Sequence, residues 1–339
     1  MNNKDLTTST IERQNVLNNQ YALEAIRTNL DVPGALFEGE YRFTKKMVAD
    51  FYEVDERTID RYIERENNEL SANGYILCIG KQLKKFKLQF AHDINVASKT
   101  TQLGLFNFRS FLNIGMLLTE SEKAKEIRSA ILDIVLESIN ERTGGGTKYI
   151  NRRDTNYLPT ALKEITYRKA LTSAITRYVE GHPTMKYATI TDYIYKAIFK
   201  ENAKKYAEVL KLKAKDQIRS TMYAEVLLLI AAFENGIGFE IKSEADRLKR
   251  NLSIEEVGDI ITRLASHPFQ TPLLEDARSK MASRDYCFRD TLHHDLKEYL
   301  ASVPPEDFER FIGEQSIDFD AILEQNRDVL LRLKQADNE

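Results

Sequence analysis

Apolar positions recur three and four residues apart over most of this chain, the spacing that gathers them on one face of a helix. It predicts a short helix at 21–29, two short helices within 43–66, and helices at 108–118 and 121–140. Past residue 147 the helical spacing dominates, with expected helices at 161–179, 190–210, 215–239, 253–265, 286–300, 307–312 and 318–334. Ser253 and Glu256 have the spacing of a capping box, and Pro304 and Pro305 suit a helix start. Two stretches depart from that spacing. Tyr75–Ile79 and Phe86–Phe90 carry strand-type side chains, and Gly80, Lys81 and Gln82 between them suit a turn, so a β-hairpin is expected there. One more strand is expected at 103–107. Residues 1–20, rich in Asn, Thr and charge, read as frayed or loosely helical, and Asp31 to Gly34 read as a turn.

Thr143, Gly144, Gly145, Gly146 and Thr147 interrupt the pattern. Three adjacent glycines are entropically costly inside a regular element, so this run reads as a linker. The expected fold class is therefore mainly α with an α+β N-terminal part. A winged helix-turn-helix domain at 41–142 follows an extension at 1–40, and residues 143–147 link it to an all-α helical bundle at 148–339. A chain of 339 residues fits such a division. The net charge of −3 means that any polyanion must meet a local basic face rather than the whole molecule. Cys78 and Cys287 are too few and too distant for a disulfide framework or a CxxC metal pair. The longest apolar stretch, 226–233, is far short of the ~20 residues that span a bilayer. No metal, cofactor or membrane partner is expected, and the location expected is the cytoplasm.

Within 43–66, Ala49 is the small residue needed where two helices cross, and Val54 is the apolar plug of the turn. Ile59 and Tyr62 or Ile63 are placed to bury against the first helix. Glu53 stands where glycine is favoured. Arg57, Arg61 and Arg65, four apart, project from one side of the second helix, with Thr58 beside them near its start. Arginine suits bidentate contact with guanine, and Lys45 and Lys46 suit phosphates. Lys81, Lys84, Lys85 and Lys87 form the densest basic patch, on the expected hairpin, in the position of a wing reaching flanking phosphates. The expected partner is double-stranded DNA, with helix and wing forming one site.

Tyr41 to Glu69, the lysine-rich segment, and the run from Leu105 to Gly115 onward to Ile139 resemble the bacterial RhuM family. The shared pattern includes Tyr41, Thr44, Thr58, Ile59, Ile63, Asn67, Glu69 and Leu70, and 281–294 is similar to the C-terminal extension of longer members. The chain departs from the family at Met116–Thr119, where members carry a basic run. The resemblance implies a DNA-binding protein linked to a mobile element or virulence locus. A regulatory role follows from that, with the helical half mediating homo-oligomerisation.

Arg289 and His294, separated by four residues, resemble the signature of HEPN ribonucleases. That resemblance implies a metal-independent alternative in which His294 shuttles a proton and Arg289 stabilises charge at an RNA phosphate. The structural alternative is an amphipathic helix in which Arg284, Arg289 and Asp290 form ion pairs. A third reading is a protein-interaction bundle that binds no nucleic acid.

Overall fold

The computed structural model describes residues 5–30, 32, 34–90, 100–214, 216–318, 321, 322 and 324. It is mainly helical, with one four-stranded antiparallel sheet. The chain forms two compact units, Met1–Glu141 and Arg142–Glu339.

The first unit opens with α1 (Thr10–Asn18) and α2 (Gln20–Asn29). Of the two expectations for residues 1–20, frayed or loosely helical, the helical one holds from Thr10 onward. Ser9 caps α1, Val16 and Leu17 are buried, and Arg13 clamps Glu69 through two nitrogens at 2.7 Å each. Strands β1 (Ala35–Phe37) and β2 (Glu40–Thr44) lead into α3 (Lys45–Phe51), α4 (Glu56–Arg65) and α5 (Asn67–Ala72). Then come β3 (Ile76–Ile79), α6 (Gly80–Phe90), β4 (Gln102–Phe106), α7 (Phe108–Leu117) and α8 (Glu122–Arg142).

The sheet order is β1-β2-β4-β3, with Phe43 opposite Phe106 and Cys78 opposite Leu103. Because strand side chains alternate, the sheet has two apolar faces. One carries Phe43 and Phe106 into a core with Val48, Ala49, Ile59, Tyr62 and Phe111. The other carries Cys78 and Leu105 against Phe37 and against Leu83 and Phe86 of α6.

The expected hairpin is therefore wrong in its second half. Residues 80–90 are a helix, and β3 pairs with β4 rather than with 86–90. Phe86 and Phe90 stand four positions apart, a spacing that serves a helix as well as a strand. The helix wins because Leu83 and Phe86 then share the face that meets Phe37, with the rings of Phe37 and Phe86 edge-on at 5.1 Å. Leu88, which a strand would bury beside them, is 86% exposed.

The second unit contains α9 (Tyr157–Tyr178), α10 (Pro183–Phe199), α11 (Ala203–Val209), α12 (Ala224–Leu248), α13 (Ile254–Ala265), α14 (Thr271–Arg289) and α15 (Pro305–Ile312). Short 3-10 turns lie at Ile150–Arg153, Ile218–Thr221 and His294–Tyr299. The capping box of Ser253 and Glu256 is formed. Three expected helices are redrawn. The 190–210 helix breaks at Lys200, whose φ of 59° is left-handed, and Asn202 recaps the chain into α11. The 215–239 helix starts only at Ala224 and runs on to Leu248. The 286–300 helix does not exist. Instead α14 ends at left-handed Asp290, with φ 49°, and the chain turns back on itself. Most of the expected helix at 318–334 lies outside the described residues, as do Asp31 and Pro33. Among the described residues no helix is long and apolar enough to cross a membrane.

Candidate nucleic-acid interface

Thr44 ends β2 and starts α3, its hydroxyl accepting from the Met47 amide at 3.3 Å. The turn to α4 is tight. Val54 donates its amide to Ala49 at 3.0 Å and packs against the core, while Glu53 takes φ 55°. Asp55 then caps α4 by accepting from the Arg57 amide at 2.8 Å. Ala49 and Ile59 are buried where the helices meet. Tyr62 buries its ring beneath, and its hydroxyl donates a hydrogen bond to Glu120 at 2.8 Å.

This packing turns Arg57, Arg61 and Arg65 outward, all exposed, with Thr58 half-buried. Arg57 has no ion-pair partner among the described residues. Arg61 reaches Glu120 at 2.6 Å, and Arg65 reaches Glu66 at 2.7 Å while lying 4.5 Å above the Tyr62 ring. The hydrogen bond from Glu66 pushes Arg65 above its ordinary pKa. Lys46 pairs with Asp50 at 3.0 Å, on the open surface. Lys45 bridges to Asp60 at 2.9 Å and to Glu56 at 3.4 Å, so it ties α3 to α4. Partial burial opposes its charge, but the Asp60 bond and charge prevail and raise its pKa. Exposed pairs of this kind contribute only about 0–1 kcal/mol each, so a phosphate can displace the carboxylate at small cost.

The four expected wing lysines lie on α6. Lys81 and Lys84 are exposed, without ion-pair partners among the described residues. Lys85 pairs with Glu38 at 2.9 Å, and half-buried Lys87 donates to the Thr100 carbonyl at 2.8 Å. α6 packs on the sheet face opposite the one that supports α3 and α4. The helix and the lysine patch are thus not brought together as the single surface expected from the sequence. The alternation of faces along β4 separates them, with Leu105 facing α6 and Phe106 facing α3 and α4.

The structure does not bring Arg289 and His294 together either. Arg289 is buried at the end of α14, donating to Asp285 at 2.6 Å, to the Thr221 carbonyl at 2.6 Å and to Asn151 at 3.3 Å. His294 is exposed in the following 3-10 turn. The enclosed histidine is its neighbour His293, held at 2.8 Å by Asp285 through Nε2 and at 2.8 Å by Glu201 through Nδ1. The His293 ring stacks on Tyr206. Burial by itself would depress His293, but the two carboxylates outweigh it and raise its pKa to about 9. Asp285 also accepts from the Tyr223 hydroxyl at 2.9 Å. Its burial is outweighed by the Arg289 charge and the His293 hydrogen bond, which hold its pKa below the ordinary value. Arg284 is buried in a second cluster, gripped by Asp307 and Glu225 at 2.8–3.1 Å. Only the i,i+4 pair of Asp285 and Arg289 was locally visible in sequence, since Glu201 and Tyr223 come from distant elements.

Among the described residues no group of His, Cys, Asp or Glu side chains could hold a metal ion, and His92 lies outside them. The chain matches no protein-family model, no curated protein and no solved structure.

Proposed function

We propose that the first unit is a winged helix-turn-helix that binds double-stranded DNA through α4, in a protein of the RhuM type with a regulatory, cytoplasmic role. The observation that carries this reading is the α3–α4 pair. Two short capped helices meet at Ala49 and Ile59 across a turn with a left-handed residue, and three arginines stand outward on the second helix. The strand order is compatible with it, because β2 leads into α3 and α4, and β2, β4 and β3 lie side by side in one antiparallel sheet. In this reading Arg57, Arg61 and Arg65 meet the phosphates flanking the groove as well as base edges, Lys46 contacts a phosphate, and Lys45 fixes the angle between the helices. The lysines of α6 form a second, separate basic surface. The helical unit serves homo-oligomerisation, which would set the spacing of paired half-sites.

The test is a gel shift of the full chain on random-sequence duplex. Binding should weaken at least tenfold in the Arg57→Ala, Arg61→Ala double variant. A chain that shifts no duplex, or a double variant that binds like the parent, overturns the proposal.

A further inference from the structure

A cavity of about 530 Å³ lies in the first unit between the end of α2, the β1–β2 turn and the start of α7. Leu30, Val32, Tyr41, Phe43 and Phe108 give it apolar walls, and Arg27 and Arg109 line it as well. Neither arginine has a carboxylate partner among the described residues. Arg109 is half-buried, and its guanidinium meets only neutral acceptors: the Leu17 carbonyl at 2.5 Å and the side chains of Asn18 and Asn73 at 3.3 Å. Burial lowers its pKa, with no acidic group opposing it. Arg27 is exposed, lies 5.9 Å above the Tyr41 ring, and has no carboxylate partner among the described residues. Glu40 also lines the cavity, but it is 58% exposed and its charge is taken by Arg42 at 2.8 Å.

A half-buried guanidinium is held at a desolvation cost that a carboxylate usually offsets. Among the described residues the deeply buried arginines have that offset: Arg13 with Glu69, Arg284 with Asp307, Arg289 with Asp285. Arg109, like half-buried Arg128, Arg153 and Arg278, is held by neutral oxygens instead, and what sets it apart is that a second cation shares its cavity. Two guanidiniums suit an oxyanion held through several charge-assisted bonds. The volume is within the range of small-molecule sites and far exceeds a bare anion, which leaves the aromatic walls for an apolar body.

We infer that this cavity is a binding site for a small organic anion, a carboxylate or phosphate monoester carrying an aromatic or branched apolar group. The inference is independent of the DNA reading and survives its failure. Calorimetric titration of the full chain tests it, with benzoate and phenyl phosphate as probes and with benzamide and inorganic phosphate as controls. At least one aromatic anion binds at least tenfold tighter than both controls, and the preferred probe identifies the anion type. Arg27→Gln, an exposed change, weakens that probe at least fivefold, and Arg109→Gln does so more strongly. If Arg109→Gln fails to fold by circular dichroism, Arg27→Gln carries the test alone. Absence of binding by both anions, equal binding of benzamide, or unchanged affinity in Arg27→Gln overturns the inference.

Discussion

Arg61 and Arg289 each lie 2.6 Å from a carboxylate oxygen, yet the two pairs have opposite characters. The side chains of Arg61 and Glu120 are 59% and 45% exposed, whereas those of Arg289 and Asp285 are 3% and 0% exposed. Water screens the first pair, so its arginine can exchange Glu120 for an incoming phosphate. The second pair is sealed among Tyr223, Asn151, Thr221 and His293. Its charges hold one another in place, and removing either leaves the other stranded. Sequence patterns of charge do not distinguish the two cases. Burial does, and it moves the functional expectation away from Arg289 and toward α4.

The largest effect should come from breaking the sealed network. Asp285→Asn keeps shape but leaves Arg289 without its countercharge and His293 with Glu201 alone, and should lower stability by about 3–5 kcal/mol. Lys46→Ala, which breaks an exposed pair, should cost under about 0.5 kcal/mol. Denaturant unfolding followed by circular dichroism compares them, and similar midpoints would erase the distinction.

A pH titration sharpens the same contrast. The His293 pKa is raised in the folded chain to about 9 from the ordinary 6.5. Its contribution to stability is therefore fully present below about pH 6.5 and is lost as pH rises toward 9. Linkage sets the scale of that loss at ~3 kcal/mol. Unfolding midpoints should fall across that window in the parent. In His293→Gln the fall should be largely gone, and an equal fall in both would show that His293 does not govern it.

A smaller effect is expected at the turn before α4. Glu53 occupies the left-handed region at φ 55°, where glycine carries no steric penalty. Glu53→Gly should raise stability by up to about 1 kcal/mol, the relief of strain exceeding the added entropy of the unfolded chain. A loss of stability would mean that the Glu53 side chain is itself needed.

Much of the first unit was legible because its signals are local. Ala49, Val54 and Ile59 stand at the offsets that two crossing helices need, and Thr44 and Asp55 are capping residues in place. Segment 80–90 was misread because its apolar residues satisfy two periods, and only contact with Phe37 decides between them. The partner of β3 was hidden for a related reason, since β4 lies beyond an entire helix in sequence. In the second unit the end of α14 was missed because Asp290 gives no glycine signal for its left-handed turn. The His293 cluster was invisible because Glu201 is 92 residues away.

The most direct test of the account is the salt dependence of duplex binding by the parent, by an α4 variant and by an α6 variant. Arg57, Arg61 and Arg65 are changed to Ala in the first variant, and Lys81, Lys84, Lys85 and Lys87 to Gln in the second. Each lost phosphate contact lowers the slope of log affinity against log salt by about 0.9. The account predicts a slope smaller by about 1–3 in the α4 variant and nearly unchanged in the α6 variant. An unchanged slope in the α4 variant with a reduced one in the α6 variant would contradict it.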